Sequence, residues 1–195
     1  MDRRRVVITG LGAVTPIGLT ASESWQAVKD GVCGIAPITQ FDPTGMKVHL
    51  AAEVKGFEPA NYMTKPEAKH MGRFTQFAVA CAKEALADAA FDPAQADLDR
   101  CGVIISSGIG GLSITESEHD RGKEKGWDRV SPFYIPMGIC NMAAGQVAIL
   151  SGMSSPFATL IRHHTRSAMP RARTNRLQKY AFFTYKPSLV LRNQC

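Results

Sequence analysis

Short β-branched runs alternate with amphipathic helical stretches along residues 1–153, and this alternation restricts the fold more than any other feature. Residues 5–9 (RVVIT) predict a buried strand that Gly10 and Gly12 close with a tight turn. Residues 101–106 (CGVIIS) predict another strand, which leads into a glycine-rich turn. Strands separated by helices predict an α/β layered fold, because each helix buries its apolar face against a sheet.

The first predicted helix has clear signals at both ends. Thr20 and Glu23 have the spacing of a capping box, in which each side chain accepts a hydrogen bond from the other residue's backbone. Trp25 and Val28 follow on one face, and Gly31 is expected to stop the helix.

Three further helices are predicted downstream. Residues 74–90 repeat apolar side chains every three or four positions, which is the clearest helical pattern in the chain. Residues 112–125 are polar and predict a surface helix or a surface excursion, with a solvated cluster at Glu116, Glu118, His119 and Asp120. A final helix is expected to run from Pro136 through Leu150, with Gly152 stopping it. Between the first two helices the chain reads as loops, with one short strand expected at residues 50–54.

Charge divides the chain near residue 155. Residues 1–155 carry 15 Lys and Arg against 17 Asp and Glu, a net charge of −2. Residues 156–195, the basic tail, carry 8 Lys and Arg and no acidic residue, a net charge of +8. The overall charge of +6 is therefore no evidence for a nucleic-acid partner, because the whole excess lies in the tail. An apolar content of 45% and a charged content of 21% exclude collagen-like, coiled-coil and wholly disordered chains.

The cysteines and the N-terminus indicate the compartment. Five cysteines, an odd number, are widely spaced and lack the spacing of zinc ligands, so neither a metal site nor a disulfide framework is expected. Arg3 to Arg5 precede an apolar run that is too short for a signal peptide. No run approaches the length of a membrane span. The sequence thus predicts a cytoplasmic protein with no membrane span, metal or cofactor, whose thiols are packing groups.

The glycines of residues 10–18 suggest a dinucleotide-binding fingerprint as one alternative. That fingerprint needs a third glycine where a helix opens on the pyrophosphate, but Thr15 and Pro16 stand there and no helix can begin. A strand-to-loop turn that uses the backbone freedom of glycine is the better interpretation.

Four motifs occur in order at consistent spacing. They are residues 4–18 (RRVVITGLGAVTPIG), 107–112 (SGIGGL), 131–136 (SPFYIP) and 141–145 (NMAAG). Together they make residues 3–153 resemble the β-ketoacyl-acyl-carrier-protein synthases, and most closely the elongating type II enzymes of bacterial fatty acid synthesis. The resemblance implies a thiolase-like fold, in which two similar α/β halves form αβαβα layers in a homodimer. Residues 1–155 would supply an incomplete first half, a partial N-terminal domain, and the tail would lie outside the family.

The resemblance also implies a reaction and its partners. A cysteine thiolate takes the acyl group from an acyl carrier protein, malonyl carrier protein loses carbon dioxide, and its carbanion attacks the thioester. A helix N-terminus lowers the pKa of such a thiol, and backbone N–H groups stabilise the tetrahedral oxyanion. Two histidines from the second half of the family fold assist the decarboxylation.

The match breaks where the family's nucleophile should follow. By spacing this cysteine falls at His164, and no cysteine occurs between Cys140 and Cys195. No catalytic residue is therefore assigned, and the 195-residue chain is expected to be inactive by itself. The preferred explanation of the tail is a frame change or premature end in the coding sequence. The alternative is a genuine basic tail that binds nucleic acid or membrane.

Three residues are carried over as substrate-binding. Ile109 matches the family position that lines and gates the acyl pocket, and Gly110 lets the backbone approach an acyl chain closely. Tyr134 matches an aromatic position that shapes the far end of the pocket near the dimer partner. Ordinary core packing is the alternative role for Ile109 and Tyr134. Two other functions stay open, a non-catalytic ketosynthase-like partner subunit and, with less support, a nucleotide- or nucleic-acid-binding protein.

Overall fold

The computed structural model describes residues 7–153 and the backbone of a strand at residues 180–184. The strands are β1 (Ile8–Ala13), β2 (Ala36–Pro37), β3 (Leu50–Ala51) and β4 (Tyr180–Thr184). The helices are α1 (Ala21–Lys29), α2 (Lys65–Lys69), α3 (Arg73–Asp88), α4 (Leu112–Lys125), α5 (Tyr134–Gly138) and α6 (Met142–Ser151). Short 3₁₀ turns lie at Pro59–Asn61, Leu98–Arg100 and Trp127–Arg129.

β1 packs directly on the long helix α3, and its two glycines make this possible. A Cβ atom at Gly10 would lie 2.1 Å from the carbonyl oxygen of Ala85, and one at Gly12 would lie 2.1 Å from that of Cys81. The prediction that these glycines close the strand is wrong, since β1 runs through both of them to Ala13. Glycine is needed here for the close approach of two backbones, not for a turn.

Two carboxylates of α3 hold the end of β1 and the start of α1. Asp88 accepts a hydrogen bond from the backbone N–H of Leu11 at 2.9 Å. Glu84 accepts one from Ala13 at 2.8 Å and another from Ala21 at 2.7 Å. These charge-assisted hydrogen bonds fix the loop between β1 and α1 against α3.

The main core lies between α3, α6 and the extended segment of residues 101–106. Val103 and Ile105 are buried in it while Ile104 is 54% exposed, which is the alternation expected of a strand. Ile104 forms a single β-bridge, but no ladder joins this segment to another strand of the described residues, so the predicted strand is present only as this bridge. Ala143 and Ala144 are buried and allow α6 to lie close to α3, as their small size predicts.

The sheets are small in the described part of the chain. β4 pairs in parallel with β1, with Ile8 opposite Tyr180 and Ala13 opposite Thr184. β2 and β3 form a short antiparallel pair, so the strand expected over residues 50–54 is limited to Leu50–Ala51. The basic tail therefore contributes one strand, β4, to the fold.

The helices follow the sequence signals closely at their capped ends. The Thr20 hydroxyl accepts from the Glu23 N–H and caps α1, but the Glu23 carboxylate accepts from the Leu19 N–H at 2.8 Å, so only half of the predicted capping box forms. The helices α3 and α4 lie where the patterns predict them. Gly152 ends α6 in the left-handed conformation with φ of +69°. In α1, however, Trp25 and Val28 are exposed, because the face that packs inward carries Ser24 and Ala27.

The helix predicted from Pro136 to Leu150 is two helices. Pro136 is the third residue of α5, where its missing N–H costs nothing because the first-turn N–H groups have no intrahelical acceptor. α5 ends at Gly138, and α6 begins at Met142. Cys140 consequently lies between the two helices and is half-buried, not inside one tightly packed helix. Among the described residues, no helix combines the length and apolar character needed to cross a bilayer.

Candidate functional site

The glycine-rich turn of residues 107–111 is locked to the end of α5. The Gly111 N–H donates to the carbonyl oxygen of Gly138 at 2.9 Å, and the Gly110 N–H donates to the Ser107 hydroxyl at 3.0 Å. Gly110 has a φ of +76°, and a Cβ atom there would lie 2.4 Å from the Gly138 oxygen. Both the backbone conformation and the available space therefore require glycine at this position.

The predicted substrate-binding residues lie in one substructure but differ in exposure. Ile109 stands at the apex of the turn with 69% of its surface exposed. Tyr134 is half-buried on α5, and its hydroxyl donates to the Thr115 hydroxyl oxygen on α4 at 3.4 Å. Gly110 contacts the end of α5, so the turn and Tyr134 are joined through this short helix.

An open cleft of about 260 Å³ lies beside the glycine turn. Of the three predicted residues only Gly110 lines it, while Ile109 and Tyr134 do not. Its walls come from the start of α3, the start of α4 and the segment after β3: Gln40, Ala52, Glu53, Val54, Arg73, Phe74, Phe77, Gly110, Gly111, Ser113 and Ile114.

Two charged residues, Arg73 and Glu53, line this cleft. Aromatic rings contact Arg73, and hydrogen bonds hold Glu53. The Arg73 guanidinium carbon lies 5.4 Å from the ring centroid of Phe57 and 5.0 Å from that of Phe77, which is cation–π geometry. Glu53 accepts from the Thr39 hydroxyl at 2.6 Å and from two backbone N–H groups. The hydrogen bond from the Thr39 hydroxyl is the main cause of the lowered pKa of Glu53.

One acidic residue that the sequence places on a solvated face is buried. Glu118 is only 6% exposed, and its carboxylate accepts from the Ser131 N–H at 2.8 Å and contacts the Arg121 guanidinium at 2.9 Å. The prediction of a solvated cluster is correct for Glu116, His119 and Asp120 and wrong for Glu118. The spacing of Glu118 and Arg121, one helical turn apart, is the sequence signal that could have shown an ion pair.

The cysteines of the described residues are free thiols. Cys81 is 1% exposed, and burial raises the pKa of its thiol to about 11, so it is protonated and unreactive at neutral pH. Cys101 and Cys140 are half-buried, and Cys33 is exposed. His164, where the resemblance places the nucleophile, lies outside the described residues.

The structure shows no candidate site for a metal or a dinucleotide in its described part. Within residues 7–153 and 180–184, no three His, Cys, Asp or Glu side chains lie close enough together to hold a metal ion. The side of Gly10 and Gly12 on which a Cβ atom would lie is filled by the backbone of α3. α1 begins only at Ala21, too far along the chain to present its N-terminus there.

Comparison with known proteins identifies the chain's relatives. The family model described as "Beta-ketoacyl synthase, N-terminal domain" matches residues 3–160. The 3-oxoacyl-[acyl-carrier-protein] synthase 2 of Staphylococcus aureus (strain COL) is 46% identical over 155 residues, which cover 80% of this chain and 37% of that protein. The chain thus spans well under half the length of the curated relative.

Solved structures give the same result at the level of the fold. The ishigamide ketosynthase/chain length factor matches with a TM-score of 0.68 and 29% identity, over 81% of this chain and 40% of that one. A β-ketoacyl synthase from Burkholderia phymatum STM815 matches with a TM-score of 0.66 and 25% identity, over 80% and 38%. The predicted thiolase-like α/β fold is confirmed for the part of the chain that matches. The chain therefore belongs to the β-ketoacyl synthase family.

Proposed function

We propose that this chain is the N-terminal part of a cytoplasmic, elongating 3-oxoacyl-acyl-carrier-protein synthase. The observation that carries the proposal is 46% identity over 155 residues with a protein named 3-oxoacyl-[acyl-carrier-protein] synthase 2. The matching family model covers residues 3–160, a range that includes the glycine turn and α5.

The reaction is acyl transfer followed by decarboxylative condensation. An acyl group moves from its carrier protein to a cysteine thiolate, and the carbanion from malonyl carrier protein then attacks that thioester. In this proposal the 195-residue chain is not acylated by itself, because His164 stands where the nucleophile would match and the Cys81 thiol is protonated at neutral pH.

The contribution of the described residues is to bind the acyl chain. Ile109 offers an exposed apolar side chain, Gly110 lines the cleft beside the turn, and Tyr134 presents an aromatic ring whose hydroxyl contacts Thr115. An acyl chain would gain about 0.8 kcal/mol for each methylene group buried against such a surface.

The same part of the molecule supports the proposal of a homodimer. Several large apolar side chains between α4 and α6 are exposed, and these are Trp127 at 64%, Phe133 at 43%, Ile135 at 59% and Ile139 at 43%. A concentration of exposed apolar surface next to a proposed pocket is typical of a protein interface. We therefore propose that this face meets a second copy, close to Tyr134.

A chimera tests the proposed activity. Residues 3–153 of this chain would replace the matching residues of the S. aureus synthase, which keeps its own nucleophile and second half. The chimera should condense a labelled acyl carrier protein with malonyl carrier protein, and the unmodified S. aureus enzyme serves as the positive control. A folded, dimeric chimera with no condensation would contradict the proposal, and so would thioester formation by the isolated 195-residue chain.

A non-catalytic partner subunit is the second candidate function. It is raised by the 29% identity to the ishigamide ketosynthase/chain length factor, whose name includes a chain length factor beside the ketosynthase. Under this proposal the chimera would show no condensation alone and would regain it only when mixed with a separate catalytic ketosynthase.

A further inference from the structure

α4, α5 and the segment between them form a closed substructure, which we call the α4–α5 unit (residues 110–138). Its base is the hydrogen bond from the Gly111 N–H to the Gly138 oxygen at 2.9 Å. The glycine turn stands at one end of this base, and Tyr134 lies one helical turn before the other. The chain between α4 and α5 therefore connects the two places proposed to touch substrate, whose ends are held together by this hydrogen bond.

Three positions on one face of α4 contact the segment that runs back from the end of α4 to α5. Glu118 is three residues after Thr115 and Gly122 is four residues after Glu118, so all three lie on the same side of the helix. Gly122 receives the ring of Trp127, since a Cβ atom there would lie 2.4 Å from the ring carbon Cε3. Thr115 contacts the Tyr134 hydroxyl.

Glu118, the middle position, supplies the strongest of these contacts. Its Oε2 accepts from the Ser131 N–H at 2.8 Å, and its Oε1 lies 2.9 Å from Nη1 of Arg121. The side chain is 7% exposed whereas that of Arg121 is 45% exposed, so the carboxylate is the buried member of the pair. A buried carboxylate persists only where hydrogen bonds and an opposite charge compensate its lost hydration.

Ser131 links the Glu118 carboxylate to the start of α5 through two further hydrogen bonds. Its carbonyl oxygen accepts from the Tyr134 N–H at 3.0 Å, and its hydroxyl accepts from the Phe133 N–H at 3.2 Å. Ser131, which donates its N–H to Glu118, therefore accepts the hydrogen bonds that hold the first turn of α5. Without the carboxylate, Tyr134 keeps only its own hydroxyl contact to α4, whose length of 3.4 Å is that of a weak hydrogen bond.

We propose that Glu118 is a positioning residue that sets where Tyr134 and the glycine turn stand, and that it thereby selects the length of acyl chain the protein accepts. The second half of this statement rests on the proposed function. The first half concerns the chain's own geometry and is independent of any substrate.

Amide hydrogen exchange in the 195-residue chain tests the positioning. In Glu118→Ala the N–H groups of Ser131, Tyr134 and Gly111 should exchange about ten- to a hundredfold faster, as expected for losing a hydrogen bond to a charged acceptor. Amides of α3 and α6 should keep their wild-type rates. Glu118→Gln should restore most of the protection, because its amide oxygen can still accept from Ser131. Glu116→Ala, on an exposed position of the same helix, is the matched control and should change none of these rates.

Two outcomes of this experiment would overturn the positioning role. One is equal loss of protection in Glu118→Ala and Glu118→Gln. The other is a uniform acceleration that includes α3 and α6, which would show a general loss of stability. If Glu118→Ala does not fold, the exchange rates of Glu118→Gln are compared with those of Arg121→Gln. Faster exchange of the Ser131 N–H in Arg121→Gln than in Glu118→Gln would refute the positioning role of Glu118.

Titration with saturated S-acyl-N-acetylcysteamine thioesters of increasing chain length tests the selection. Trp127, within the unit, reports binding by fluorescence in a Trp25→Phe background. The ratio of Kd values for long and short thioesters should change severalfold in Glu118→Ala and return in Glu118→Gln. If amide exchange is faster in Glu118→Ala but the ratio of Kd values for long and short thioesters is unchanged, the proposed selection of acyl-chain length is refuted. If the wild-type chain binds no thioester, acyl binding as proposed and the selection fail together, while the exchange data still decide the positioning.

Discussion

The contact between β1 and α3 makes a prediction whose size follows from the structure. In Gly12→Ala the new Cβ atom would lie 2.1 Å from the Cys81 carbonyl oxygen and 2.9 Å from the Ala85 nitrogen. Ordinary van der Waals contact begins near 3.4 Å, so β1 and α3 must separate by more than about 1 Å. Both neighbours are backbone atoms, which cannot move away as a flexible side chain can.

The expected cost of this substitution is about 1–3 kcal/mol in the free energy of unfolding, the usual range for overpacking a core. The upper end applies here because separating the elements also lengthens the hydrogen bonds from Leu11 and Ala13 to the carboxylates of α3. Each of these bonds to a charged acceptor contributes about 1.5–3 kcal/mol while it is intact.

Urea unfolding followed by circular dichroism measures the effect, with Gly108→Ala as the matched control. A Cβ atom at Gly108 meets nothing within 4 Å, and that residue does not have a positive φ. Gly108→Ala should therefore lie within about 0.5 kcal/mol of wild type. If Gly12→Ala unfolds within about 0.5 kcal/mol of this control at an unchanged m-value, the reasoning from close backbone contact is refuted.

Two further predictions concern titrating groups. Because burial raises the pKa of Cys81 to about 11, its thiol should resist alkylation at neutral pH in the folded chain while Cys33 reacts, as mass spectrometry would show; equal labelling of both would contradict this. Hydrogen bonds from the backbone and the side chain of Thr64 lower the pKa of Glu67. The ionised Glu67 carboxylate therefore contributes its full stability above the ordinary pKa of a glutamate, and this stability is lost as the pH falls through the lowered pKa. Thr64→Val keeps the backbone bond and removes the hydroxyl, so an NMR titration should find the pKa of Glu67 raised part of the way to its ordinary value, and no change would refute the hydroxyl's role.

Much of the site was within reach of sequence reasoning, but its connections were not. The glycine turn and Tyr134 could be named from motifs, because those motifs are contiguous. Folding brings residues of separate elements together in two further contacts: the hydrogen bond between the glycine turn and Gly138, and the burial of Glu118 against Ser131. A pattern of polar residues on a helix shows which side chains share a face, and it does not show what the chain beyond the helix will cover.

The helices with local signals could be predicted from the amino-acid sequence. The Thr20 cap, the long apolar pattern of α3 and the stop at Gly152 all depend on hydrogen bonds and side-chain contacts within a few residues, so they appear where the sequence predicts them. It also determined the family, through four ordered motifs.

The course of β1, the break between α5 and α6 and the burial of Glu118 depend on packing between separate parts of the chain. Gly10 and Gly12 stay in a strand because α3 leaves no space for side chains there, and that helix lies more than sixty residues away in sequence. The physical reason is common to all three: the deciding contact is made with a distant segment, so it exists only once the chain has packed.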